Sequence, residues 1–181
     1  MKLLAFMLAA AAALCAPVLR GAAVTDGGDQ DLPHVRPDGR RLMFGWHGGS
    51  PHRVDVSTLI RAVTLDTATV LAAKRSGEVD YFVVSVSGPS QSATPTGSSF
   101  SGGTESNLLW LKLKAWKLLD SQSMLYQSFW ESLEPVGDYH LKGGILTLRF
   151  ANKRQNTDFV LRYDSSRPDD KISLQHAGDV E

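Results

Sequence analysis

The feature that most constrains the fold is the alternation in LLWLKLKAWKLL, residues 108–119. Successive side chains of a strand point to opposite faces, so a period of two sorts them into two sets, whereas a helix needs a period of 3.6. Wrapped as a helix, these leucines, lysines and tryptophans scatter around the whole circumference. Read as a strand, Leu109, Leu111, Leu113 and Ala115 share one face, and Trp110, Lys112, Lys114 and Trp116 share the other. Two tryptophans then stand beside two lysines, whose ammonium heads need water or a partner. A face of that composition is either a recognition surface, or one covered by another segment with the lysine stems reaching outward.

The same period recurs along the chain. Residues 41–46 place Leu42, Phe44 and Trp46 on one side, and 59–65 is rich in β-branched residues and reads as a further strand. Residues 68–74 and 79–87 flank Arg75-Ser76-Gly77-Glu78 as a hairpin. In its second arm Phe82, Val84 and Val86 point one way and Tyr81 and Val83 the other, the pattern of a central strand covered on both faces. Gly143-Gly144 marks another hairpin over 139–150, and strands over 157–163 and 171–175 complete a meander. About eight short strands with closely spaced turns predict a mainly β, single-domain antiparallel β-sandwich or small barrel.

One segment resists the pattern. At 100° per residue Leu125, Tyr126, Phe129, Trp130 and Leu133 gather on one arc, Asp120 or Ser121 could cap the start, and Pro135 ends it. The expectation is therefore at most one short helix, around 121–133. Serines at 121, 123, 128 and 132 keep open a strand alternative in which Tyr126 and Trp130 share a face.

Residues 1–23 read as a signal peptide: Lys2 precedes an apolar run that ends at the small residues Gly21-Ala22-Ala23. Export to the periplasm or the extracellular space follows. Lipid anchoring at Cys15 is disfavoured because Leu14 stands where a lipobox needs a small residue. Residues 24–39 read as an irregular amino end and 40–178 as one β-rich domain, with no transmembrane segment in the mature chain. Within it, 15 of the 20 residues at 88–107 are Ser, Thr, Gly or Pro. Such a stretch buries too little apolar surface to offset the entropy of ordering it, which predicts a long loop.

Composition removes several chemistries. Cys15 is the only cysteine, so the mature chain is disulfide-free and has no thiolate nucleophile or zinc-thiolate site. Removing Lys2 and Arg20 from 19 basic and 19 acidic residues leaves a formal charge of −2, without the clustered basic face that nucleic acid requires. His47 and His52 flank a Gly-Pro turn and are weak candidates for a metal, because loop geometry does not hold two imidazoles on one side. His47-Gly-Gly-Ser50 is followed by no G-x-S-x-G elbow, and no cofactor motif is present.

What remains is aromatic. Trp110, Trp116, Tyr126 and Trp130 are the candidate ligand-binding residues, since flat rings bury apolar protein or sugar surface with little loss of entropy. The reading is an exported, non-catalytic binding module for a protein or carbohydrate partner, with no cofactor. Its rivals are a hydrolase using carboxylates near Trp130, with Glu105, Glu131, Glu134 and Asp138 available, and a structural envelope protein.

Overall fold

The computed structural model describes residues 32–45, 49–90 and 103–179. The expected signal peptide, Trp46, His47 and the middle of the Ser/Thr/Gly/Pro loop lie outside them. The described residues form twelve strands: β1 His34–Asp38, β2 Arg41–Gly45, β3 His52–Asp55, β4 Thr67–Ser76, β5 Val79–Pro89, β6 Thr104–Lys114, β7 Lys117–Ser128, β8 Leu133–Pro135, β9 His140–Lys142, β10 Ile145–Asn152, β11 Thr157–Asp164 and β12 Ser173–His176. All pairings are antiparallel. β1-β2-β3 make a small sheet, and a nine-stranded sheet runs β12-β11-β10-β8-β7-β6-β5-β4, with β9 alongside β10. The architecture is mainly β, without a closed barrel and consistent with a β-sandwich.

Two apolar clusters lie on opposite faces of β4 to β6. On one face, Phe82, Val84 and Val86 of β5 and Leu109, Leu111 and Leu113 of β6 meet Leu42 and Phe44 of β2 and Val54 of β3. On the other, Tyr81, Val83, Leu108, Trp110 and Tyr126 meet Leu146, Leu148 and Phe150 of β10 and Leu161 and Tyr163 of β11. The large sheet therefore folds back on itself, and β5 is the apolar middle of three layers. A β-bulge between Val70 and Ala72 inserts Leu71, which sends Val70 into the first cluster and Leu71 and Ala72 into the second.

Four sequence expectations are corrected. The helix around 121–133 is strand β7 followed by a turn, and no α-helix occurs among the described residues. Pairing of β7 with β6 from Glu105↔Ser128 to Lys114↔Lys117 supplies the backbone partners that a helix would have supplied internally. The amino end at 24–39 already contains β1, which pairs with β2 from His34↔Gly45 to Asp38↔Arg41. The expected loop at 88–107 is shorter, because Gly88-Pro89 ends β5 and residues 104–107 begin β6, joined by Gly88↔Glu105 and Pro89↔Thr104.

Finally, 59–65 is not a strand. Its amides go singly to separate carbonyls, Val63 N to Pro89 O at 3.0 Å and Leu65 N to Gly39 O at 2.8 Å, while Ile60, Ala62 and Leu65 point into the first cluster. This loop crosses directly over Gly88, where a Cβ would stand 1.9 Å from the Thr64 carbonyl oxygen. Only glycine permits that crossing.

Candidate binding surface

Trp110 lies on β6 and is 0% exposed. The segment that covers it is 168–172, a 3₁₀ turn at Pro168–Asp170 and the two residues after it. Trp110 Nε1 donates to Pro168 O at 2.9 Å, and the Lys171 ammonium stands 5.2 Å from the ring centroid. The same segment is latched by Tyr81 Oη to Asp169 Oδ2 at 3.1 Å and Lys112 Nζ to Asp169 Oδ1 at 2.6 Å. Gln122 of β7 receives the Ile172 amide at 2.8 Å and donates to its carbonyl at 3.0 Å, as a neighbouring strand would. Trp110 is thus a core residue with its one polar atom satisfied.

Tyr126 is buried as well. Its hydroxyl shares a hydrogen with Ser85 Oγ at 2.7 Å, and burial raises the phenol above its usual pKa. Ser87, Ser106 and Gln127 extend this polar seam across β5, β6 and β7, with Ser87 Oγ 2.8 Å from Ser106 Oγ and Ser106 donating to Gln127 at 2.7 Å.

Trp116 does not share a face with Trp110. Lys114 pairs with Lys117, so Ala115 and Trp116 form a two-residue hairpin loop with φ of 48° and 63°. Positive φ at both positions is the signature of a type I′ turn. The turn breaks the alternation and swings Trp116 onto the first cluster. There the half-buried ring stacks on His52, with centroids 4.4 Å apart and planes 9° apart, and runs parallel to Phe82 at 6.3 Å and 8°.

Trp130 alone among the four candidates turns substantial surface outward, at 43% exposure, and its neighbour Phe129 is 71% exposed. They sit on the turn joining β7 to β8, with centroids 5.7 Å apart and planes at 79°. The turn is held from several sides. Ser132 N donates to Phe129 O at 3.2 Å, Trp130 Nε1 to Ser90 Oγ at 3.0 Å, and Arg154 Nη2 to Trp130 O at 3.3 Å. Arg61 pairs with Glu131 at 2.5 Å, joining the turn to the loop that carries exposed Val63. Ser128 accepts from Glu131 N at 3.3 Å and donates to Glu105 Oε1 at 3.4 Å.

Against known protein-family models, curated proteins and solved structures, the chain has no match.

The carboxylates near Trp130 differ in setting. Glu131 is engaged by Arg61, and Glu134 faces Lys153 at 3.6 Å, both at the surface. Glu105 is 5% exposed, and its Oε2 has no hydrogen-bond partner. Asp138 lies in the connection between β8 and β9 and is exposed. Among the described residues no three His, Cys, Asp or Glu side chains are grouped to hold a metal, and the His52 ring stacks on Trp116. Sequence reading missed Phe129 because the helical arc placed it with the buried set. It offered Glu105 as one of the hydrolase carboxylates but not as a buried one, because a carboxylate inside a Ser/Gly-rich run carries no sign of burial.

Proposed function

We propose that the chain is an exported, non-catalytic binding module that engages a protein partner through the Phe129–Trp130 corner. One observation carries this reading: a phenylalanine left 71% exposed beside a half-exposed tryptophan, on a turn held by Ser90 just after β5, by Ser128 of β7 and by two loops. Exposed aromatics are the usual energetic centre of an interface. A turn fixed before contact loses little entropy on binding. The edge-on arrangement favours protein over glycan, because a sugar lies flat on an aromatic face and two rings at 79° share no plane. A projecting knob of this kind fits a pocket on a folded partner. Export rests on the composition of residues 1–23. The hydrolase reading has less support, since Glu131 and Glu134 already face cations.

The test is affinity co-purification of the parent chain and of Phe129→Ala and Leu174→Ala variants, alongside retention on insoluble polysaccharide. The expected result is a stoichiometric protein partner kept by the parent and by Leu174→Ala, lost from Phe129→Ala, and no polysaccharide retention. Retention on polysaccharide that Trp130→Ala abolishes would make the ligand a glycan. A partner held equally by Phe129→Ala would remove the corner from the function.

A further inference from the structure

At the opposite end of β7, Gly49, Ser50, His52, Arg75 and Trp116 line an open depression of about 370 Å³. Each polar side chain around it is a potential donor, and two are held in place from behind. Asp80, directly across from Arg75 in the β4–β5 register, accepts from Nε at 2.6 Å and from Nη2 at 3.1 Å. A guanidinium gripped along its Nε–Nη2 edge turns its Nη1 side away from the carboxylate. His52 is fixed by its parallel stack on Trp116.

The hairpin loop itself is costly. Ala115 and Trp116 both sit at positive φ, where Asn-Gly would be unstrained and other residues are strained. What that geometry achieves is to set the indole behind the imidazole. We propose that this depression is a binding site for the carboxylate or phosphate group of a small anion, held by Arg75, His52 and Ser50. Arg75 provides a planar pair of donors of the kind that recognises both oxyanions. Asp80 is buried behind the guanidinium, so it orients the cation and is not itself a lining group. The site is independent of the Phe129 corner, and neither reading requires the other.

The experiment is a nuclear magnetic resonance titration of the full chain at constant ionic strength, with sodium phosphate in one arm, sodium acetate in the second and chloride as control. Saturable shifts are expected at the Gly49 and Ser50 amides and the Trp116 indole in one oxyanion arm, which names the preferred group, and not with chloride. Arg75→Gln should weaken binding by about tenfold or more, since a hydrogen bond to a charged group is lost. The Arg75→Gln/Asp80→Asn double variant removes the site without leaving a buried carboxylate unpaired, and should behave like the single variant. Arg53→Gln, next to His52 on β3 and paired with Asp38, should bind as the parent does. Shifts that grow linearly in every arm, or that are unchanged in both Arg75 variants, would overturn the proposal.

Discussion

Glu105 is the residue whose environment departs furthest from its chemistry. A buried carboxylate normally collects several donors, yet here Ser128 Oγ supplies one at 3.4 Å and Oε2 has none. An unsatisfied buried group costs about 1–3 kcal/mol, and more when charged. Glu105→Gln should therefore raise the denaturant midpoint, and Ser128→Ala should lower stability by about 1–3 kcal/mol in the parent chain. The serine substitution should cost less in the Glu105→Gln background, and chemical denaturation of all four proteins as a double-mutant cycle measures that coupling. Additive effects would show that Ser128 acts only through the Glu131 amide. Ser128 is also the bracket beneath Phe129, so the same cycle reports how firmly the corner is presented.

The β6–β7 hairpin shows what an element's sequence discloses and what it hides. Alternation across 108–114 was legible, and Leu109, Leu111 and Leu113 are all buried on one face as the period requires. The period stops at Lys114, because Ala115-Trp116 carries none of the Asn or Gly that would announce a type I′ turn. Carrying the alternation two residues further put Trp116 beside Trp110, when the rings lie on opposite faces. β7 was hidden for another reason: its serines pair with polar residues of β6, Ser123 with Asn107 and Ser128 with Glu105, partners that sequence cannot show, so the helical arc looked equally good. The turn makes a sharp prediction. Ala115→Gly should stabilise the chain by about 1 kcal/mol by removing a Cβ from a left-handed conformation. Trp116→Ala should destabilise it by about 3 kcal/mol, because a large ring packed against Phe44, His52 and Phe82 is lost. Thermal unfolding of the two variants should give shifts of opposite sign.

For the whole molecule, the antiparallel β class was readable, but β1, β7 and the layering of the strands were not. Local patterns reveal hairpins, whereas the folding of β10 and β11 onto the far face of β5 and β6 depends on contacts between residues far apart in sequence. The apolar double face of β5 was the one clue, and it was read correctly as burial on both sides. The 168–172 latch joins the layers through ion pairs, which gives it a pH signature. The Lys112 hydrogen bond, with a smaller contribution from Tyr81, holds the Asp169 carboxyl below its ordinary range, and Lys171 does the same for Asp120. Carboxyls depressed in the folded state add stability that is present above the unfolded pKa of about 3.9 and lost as pH falls through the folded value. The midpoint of unfolding should stay level from neutral pH to about pH 5 and drop below about pH 4, and Asp169→Asn should flatten that acid limb. An unchanged limb would mean that the latch contributes no net electrostatic stability.

That latch also sets an order of events. Every bond it makes to β5, β6 or β7 spans at least 50 residues of chain. Closure over such a separation carries a large entropic cost until the partner strands are already in place. The β4–β5–β6–β7 meander, in which each strand pairs with the next in sequence, can therefore form while the second cluster still lacks its cover. During that interval Trp110 faces water, which makes a quenchable indole the clock by which the last step of folding can be timed.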